Sequence, residues 1–308
     1  MAEPFHEQIT TALDVERFEL DLFRSKTLWL PNRARGVFGG QVISQALVAA
    51  TQTVDPAFGL HCNTSLRVLS KSDAYNPQPF TRLRDGRSYV TRAVKALQSG
   101  RTIFFMTCSY QKPEPWQPVG QWPMPQNVPA PSACVLEEDN YEKLAQEPGL
   151  HPKIKAIYRD FATERTRSPI AVKVALENDS LAGGATRHMY WLKARDIPKY
   201  EPHYQKCILA YMSDLYLLGA ARRTLGLKRF GKGPQAVSMT STIDHTIAFY
   251  DDAFDCGDWL LYVMVSPRAA SGRAIVYGQI YTQGGSLVAV TTQEGVVRAD
   301  IRGPDAKL

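Results

Sequence analysis

SYVTRAVKALQSGRTIFFMTCSY, residues 88–110, is the stretch from which the fold is read. Two β-rich runs, 88–97 and 102–110, flank Gln98-Ser99-Gly100, and runs joined by so short a glycine-containing link form a hairpin. Upstream, an apolar helix is predicted over 40–51, opened by Gly39-Gly40 and filled with Val42, Ile43, Ala46, Leu47 and Ala50. The same order returns in the second half. A helix is predicted over 205–225, and strands over 274–282 and 286–292 are joined by Gln283-Gly284-Gly285. The turn residues Gln98 and Gly100 recur 185 positions later as Gln283 and Gly285, while Ile43-Ser44-Gln45 matches Met212-Ser213-Asp214 at a separation of 169. Helix followed by β-meander, twice, with the same turn chemistry, points to duplication. The implied class is α+β, each unit being one long helix packed on a curved antiparallel sheet. Two such units pair sheet edges and so protect them from stray association.

Seven prolines between Pro113 and Pro131 forbid helix and break sheet ladders, making this stretch an extended connector. The chain therefore divides into an N-terminal unit over 1–112, a proline-rich connector with short helices over 113–165, and a C-terminal unit over 166–308. Within the latter two, helices are predicted around 141–145 and 154–161, and strands over 170–176 and 187–194.

Composition narrows the function class. With 44% hydrophobic and 21% charged residues in 308, the chain can bury a large core without staples. Its net charge of +6 favours an anionic ligand without demanding nucleic acid. No run of about 18 apolar residues occurs, so no stable membrane insertion is expected, and the start Met-Ala-Glu-Pro-Phe-His-Glu has no secretory pattern. The five cysteines are scattered and form no C-x-x-C pair, which argues against a disulfide framework and a zinc site. The final Ala306-Lys307-Leu308 is close to the Ser-Lys-Leu address read by the peroxisomal import receptor, so a peroxisomal matrix location is expected.

Several chemistries are unsupported: there is no G-x-S-x-G elbow, no Walker A sequence, and no metal spacing among the six histidines. No metal and no cofactor are expected. What remains is polar groups set in apolar structure. Asp214 falls on the apolar stripe of Tyr211, Leu215 and Leu218, and a buried carboxylate is costly unless something bonds or uses it. A structural cap and a chemical role stand level here. In Thr242-Ile243-Asp244-His245-Thr246-Ile247, alternation predicts one strand with Thr242, Asp244 and Thr246 on one face and His245 on the other. Asp244 and His245 are thus no directly paired dyad, and a structural or ligand-contact role suits them better. Gln293, at the end of the last strand, is by default a solvated turn residue. Together, though, Gln, Thr and Asp could hold one water, and since none is a strong nucleophile they suit hydrolysis by an oriented water.

At these residues the sequence resembles the type-II acyl-CoA thioesterases. The resemblance is carried by RGVFGGQVISQALVAA (35–50), residues 83–111, LAYMSDLYLL (209–218), TIDHTIAFY (242–250) and QEGVVR (293–298), in the family's order and across both halves. It implies a double hot-dog fold, with Asp214, Thr242 and Gln293 as a catalytic trio that orients a water against a thioester carbonyl. Helix-start chemistry adds a backbone amide at Gly39-Gly40 for the oxyanion, and Asp244 and His245 complete the substrate-contact set. Gln45 matches Asp214 in the first half, so one carboxylate-bearing site per chain is expected. Arg222, Arg223, Lys228, Arg229 and Lys232 are candidates for the phosphates of coenzyme A, against the alternative of a solvated basic loop. Where family members often show an aromatic residue and a histidine after the D-H pair, this chain has Ala248-Phe249-Tyr250, which leaves acyl-chain preference open. A homo-oligomer is expected. Two other readings compete: a non-catalytic acyl-CoA-binding protein, and an enoyl-CoA hydratase, whose D-x-x-x-x-N-P-x-H signature is not met because Asn76-Pro77 is followed by Gln78-Pro79.

Overall fold

Ser99 and Gly100 turn the first hairpin at φ of +49° and +74°, the paired left-handed conformation that matches strand twist and that glycine adopts without steric cost. Around that turn the computed structural model describes residues 6–19, 21–34, 36–67, 76–181 and 185–301; the tripeptide Ala306-Lys307-Leu308 lies outside them. The first unit comprises α1 (Ile9–Leu13), β1 (Val15–Glu19), β2 (Leu22–Ser25), α2 (Gly39–Thr51), β3 (Gly59–Arg67), β4 (Asn76–Asp85), β5 (Tyr89–Gln98) and β6 (Arg101–Gln111). The connector leads into α3 (Glu137–Gln146) and α4 (Pro152–Arg167). The second unit comprises β7 (Ile170–Ser180), β8 (Thr186–Ala194), α5 (Pro202–Ser213), α6 (Leu217–Thr224), β9 (Val237–Thr242), β10 (Asp244–Phe249), β11 (Leu260–Ala270), β12 (Arg273–Tyr281) and β13 (Leu287–Ala299).

The strands form an eleven-stranded sheet of order β4-β5-β6-β3-β10-β13-β12-β11-β8-β7, with β9 on the far end of β13. Outward from the β3–β10 junction the order is mirrored, β3-β6-β5-β4 on one side and β10-β13-β12-β11 on the other. The two units are joined by strand pairing, with Thr246 opposite Thr64, so neither central edge is left open. α2 and α5 pack inside this curved sheet. Every residue of α2 from Gly39 to Leu47 is buried, as is every residue of α5 from Gln205 to Ser213, so polar side chains among them, such as Gln41, Gln45, Lys206 and Ser213, are turned to internal carbonyls. The connector is stitched to the outside of the second unit: Trp191 Nε1 donates to Pro129 O at 2.9 Å, Lys173 Nζ to Pro131 O at 2.8 Å, and Gln121 Nε2 to Gly285 O at 2.7 Å. All five cysteines are free thiols.

Three elements differ from the sequence reading. The last strand runs on to Ala299 instead of ending at 292, so Gln293 is a buried residue within β13 and not a solvated turn. The helix expected over 205–225 is broken: α5 stops at Ser213, and Tyr216, at φ of +70°, opens α6. A left-handed tyrosine costs about 1–2 kcal/mol. Side chains distant in sequence offset it. Tyr262 Oη takes the Ser213 carbonyl at 2.7 Å, the Tyr216 ring stacks on Tyr190 with centroids 4.7 Å apart, and the Tyr216 hydroxyl donates to Glu137 of α3.

The strand expected over 242–247 is also interrupted, at Ile243. β10 meets β13 in a register placing Thr246 opposite Thr292, whereas β9 meets it with Thr242 opposite Gly295. One residue too many stands on the 242–246 side, which is a β-bulge. A one-residue slip reverses which way side chains point, so Thr242 and His245 both reach Gln293. The expectation that they occupy opposite faces is thereby corrected.

Candidate active site

Asp214 is the residue at which α5 ends. Because the helix stops there, its carboxylate leaves the α5 axis and meets the start of α2. Oδ2 accepts the Gly40 amide at 2.8 Å, and Oδ1 accepts Gln293 Nε2 at 2.9 Å. The same Gln293 nitrogen donates to Thr242 Oγ1 at 2.6 Å. Asp214, Thr242 and Gln293, which lie up to 79 positions apart, thus share one amide nitrogen. The helix start contributes an unsatisfied N–H and the positive end of the α2 dipole, both suited to a carboxylate.

Gln293 is buried at 1% exposure, while Asp214 and Thr242 are half-buried and reachable. Asp214 and Thr242 border a narrow cavity with Gly39, Val42, Ile43, Ser65, Phe104, Asp244 and His245, whose room for a water centre is about 10 Å³, roughly one molecule. The cavity lies where α2 of the first unit crosses the end of α5 of the second.

His245 (1% exposed), which lines the same cavity, sets Nδ1 at 3.3 Å from Gln293 Oε1 and Nε2 at 2.9 Å from Ser213 Oγ. Ser213 Oγ also lies 2.8 Å from the Ala210 carbonyl. Burial pushes the His245 pKa below its ordinary value, opposed by the nearby Asp214 charge and the Gln293 contact. Tyr262 Oη, besides holding the Ser213 carbonyl, lies 2.9 Å from Thr291 Oγ1. Ser213 and Tyr262 were missed from sequence. Ser213 has a signal in retrospect, since it falls inside the repeated Met212-Ser213-Asp214; Tyr262 has none.

Two expectations change, while Asp244 and His245 both line the cavity, as a ligand-contact role requires. Asp214 is a helix-ending residue held by a partner helix, not a mid-helix group. The Gly40 amide is taken up by Asp214 and so does not stand open for an oxyanion. Asp244 accepts the Glu294 amide at 2.9 Å, anchoring the bulge to β13. In the first unit, Gln45 Nε2 donates to the carbonyls of Ala12 and Thr27 at 2.9 and 3.0 Å, so the position matching Asp214 holds an amide whose nitrogen is committed to the backbone. Of the basic candidates, Arg223 pairs with Glu177 at 2.9 Å, Arg222 donates to Leu227 O, and Arg229 donates to Tyr141 at 2.7 Å. Lys228 and Lys232 are exposed. Among the described residues, no cluster of His, Cys, Asp or Glu could hold a metal ion, and no helix is long and apolar enough to cross a membrane.

Comparison with known proteins places this geometry in a lineage. Residues 27–111 match the family model described as acyl-CoA thioesterase N-terminal domain, and residues 141–297 the corresponding C-terminal domain. Acyl-coenzyme A thioesterase 8 of Mus musculus is 31% identical over 97% of this chain and 92% of its own length. Acyl-CoA thioesterase 2 of Haemophilus influenzae is 33% identical over 93% of this chain and 95% of its own. The solved acyl-CoA thioesterase II of Mycobacterium marinum, 32% identical, superposes with a TM-score of 0.73 and covers 97% of this chain and 99% of that one. A hot dog fold protein from Alicyclobacillus acidocaldarius, at 18% identity and a TM-score of 0.68, bears on the fold alone. With both units matched by domain models of one family, and relatives above 30% identity spanning nearly all its length, the chain belongs to the type-II acyl-CoA thioesterases and has their double hot-dog fold.

Proposed function

We propose that the chain hydrolyses fatty acyl-CoA to free fatty acid and coenzyme A, by direct attack of a water oriented by Asp214, Thr242 and Gln293. The observation that carries this is the single Gln293 nitrogen between Asp214 Oδ1 and Thr242 Oγ1, beside a cavity of one-water size. With that nitrogen satisfying one oxygen of each, the Asp214 carboxylate can accept a proton from a water and the Thr242 hydroxyl can donate to the same water. The water oxygen attacks the thioester carbon while its proton passes to Asp214, general-base assistance worth about 10²–10⁴-fold. A new C–O bond forms and the carbonyl becomes an oxyanion. Helix geometry gives the Gly39 amide no intrahelical carbonyl, and Gly39 borders the cavity, so we assign it the oxyanion. Collapse of the intermediate breaks the C–S bond, and the departing thiolate recovers the proton from Asp214. A thiol of pKa about 8.5 leaves readily, so neither a covalent acyl-enzyme nor a metal is required.

Lys228 and Lys232, exposed on the loop after α6, are assigned to the coenzyme A phosphates. The chain is placed in the peroxisomal matrix, supported by Ala306-Lys307-Leu308 and by a relative named peroxisomal acyl-coenzyme A thioester hydrolase 1 in Saccharomyces cerevisiae, 24% identical over 87% of this chain. It is read as a homo-oligomer, as expected from its sequence.

Purified protein given palmitoyl-CoA is expected to release free thiol, with Asp214→Ala lowering kcat at least about 10²-fold. Tight binding of palmitoyl-CoA without turnover would instead identify a binding protein, and addition of water to an enoyl-CoA without thiol release a hydratase. Full activity in Asp214→Ala would remove the mechanism even from an active enzyme.

A further inference from the structure

We propose that His245 is a positioning residue: as the Nδ1–H tautomer it receives the Ser213 hydroxyl at Nε2 and donates to Gln293 Oε1, fixing which way the Gln293 amide faces. The proposal deepens the reading of Asp214, Thr242 and Gln293 given above and rests on it.

An amide side chain can face two ways, and only one is useful here. Turned as found, the Gln293 nitrogen meets two acceptors, Asp214 Oδ1 at 2.9 Å and Thr242 Oγ1 at 2.6 Å. Turned over, its oxygen would face the carboxylate. What settles the choice is the atom on the other side. His245 Nδ1 lies 3.3 Å from Gln293 Oε1, and a carbonyl oxygen attracts that nitrogen only if the nitrogen carries the hydrogen. A ring buried to 1% exposure stays neutral, so Nε2 is then an acceptor. Ser213 Oγ, 2.9 Å from Nε2, has one hydrogen to give and two acceptors in reach, the other being Ala210 O at 2.8 Å. In the proposed state it gives that hydrogen to the ring. The donors then run in one direction, from Ser213 through His245 to Gln293 and on to Asp214. Ser213 and Asp214 are neighbours in the chain, so the helix end that delivers the carboxylate also sets the tautomer.

The first unit shows what happens where the relay is not needed. The 185-residue separation that carries Gln98 to Gln283 carries Cys108 to Gln293. Across the ladder from Cys108 stands Asn63, as His245 stands one step beyond the Thr246–Thr292 pair. The 169-residue separation pairs Ser44 with Ser213 and Gln45 with Asp214. Ser44, Gln45, Asn63 and Cys108 are therefore the counterparts of the four relay residues. Asn63 and Ser44 are fully buried, yet neither side chain has a hydrogen-bond partner among the described residues. The fold does not require this relay, which is complete only in the copy that carries the carboxylate.

Histidine nitrogens can be replaced one at a time. An Asn side-chain nitrogen stands close to where Nδ1 was, and a Gln nitrogen close to where Nε2 was. Three variants, His245→Asn, His245→Gln and His245→Ala, are assayed for thiol release alongside thermal unfolding. We expect His245→Asn to keep kcat within about tenfold of wild type. His245→Gln and His245→Ala are expected to lose about 10²-fold, the effect of misplacing a catalytic group, with KM changed less than about threefold. A packing role predicts the reverse order, since Gln fills the site better than Asn; that order, or a loss confined to KM, overturns the proposal. If either inactive variant fails to fold, Ser213→Ala decides in its place, with kcat expected to fall at least about fivefold at unchanged KM and an unchanged rate overturning the idea. Independently of activity, ¹⁵N-histidine NMR of wild-type protein reports the tautomer. Protonated Nδ1 with bare Nε2 is expected, and protonated Nε2 overturns the assignment. That measurement separates failure of the relay from failure of the thioesterase reading, which Asp214→Ala tests.

Discussion

Gly40 has no side chain because the backbone of another helix stands where one would go. A Cβ built there would lie 2.5 Å from the Tyr211 carbonyl of α5 and 2.6 Å from the Phe38 ring. This close approach lets the Gly40 amide reach Asp214 Oδ2. Alanine at this position must push α2 and α5 apart, and overpacking of that kind costs about 1–3 kcal/mol. It also draws the amide away from the carboxylate. Gly40→Ala is therefore expected to lower the unfolding free energy by that amount and to reduce kcat about 10²-fold, as misplacement by an ångström does. Urea unfolding and steady-state thiol release on one preparation measure both effects. A variant as stable and active as wild type would show that the helix contact neither needs glycine nor serves Asp214.

Among elements, the local ones were legible and the bent ones were not. Ser99-Gly100 specifies its turn by itself, and the connector prolines announce themselves. The break after Ser213 depends on Tyr262, 49 positions away, and on Glu137 of α3, 79 positions from Tyr216; nothing within 205–225 records either. The bulge at Ile243 likewise depends on Glu294, whose carbonyl takes the Ile243 amide and whose amide Asp244 holds. Asp214, Thr242 and Gln293 are singled out in the sequence through the family resemblance, but their convergence on one nitrogen is not legible there. Both departures from regular structure occur at the site, where strain is expected to collect. Packing of α6 against the sheet has its own measurable consequence. His188 of β8 is buried beneath α6, where it makes long contacts of 3.5 Å to Asn178 N and Thr224 Oγ1. Burial, then the charges of Arg223 and Arg222 against the opposing Glu177, push its pKa down to about 4. The unfolded chain, with an ordinary value near 6.5, binds the proton first. Its contribution to stability is thus complete above pH 6.5 and is lost as pH falls toward 4, on the order of 3 kcal/mol. Denaturant unfolding between pH 7 and pH 4 is expected to show this slope, and His188→Asn to flatten it. An unchanged slope in that variant would assign the acid sensitivity elsewhere.

For the whole molecule, duplication explains the architecture, and divergence explains why the proposed trio belongs to the second copy. The junction joins β3 to β10, and the trio of the second unit closes only against α2 of the first: Gly40 meets Asp214, while Gly39, Val42, Ile43 and Phe104 wall the cavity. Neither unit alone contains the complete arrangement. Each alone also exposes a central strand edge, β3 or β10, whose amides and carbonyls would seek another partner. Fragments 1–112 and 113–308, divided where the connector leaves β6, are expected to be inactive and prone to association when expressed singly. Co-expressed, they are expected to copurify and recover thiol release, since the connector fastens to the second unit through Gln121, Pro129 and Pro131 and so need not stay joined to β6. Activity of 113–308 by itself, equal to that of the intact chain, would mean that α2 contributes nothing to the chemistry, and the assignment of the Gly39 amide to the oxyanion would fall with it.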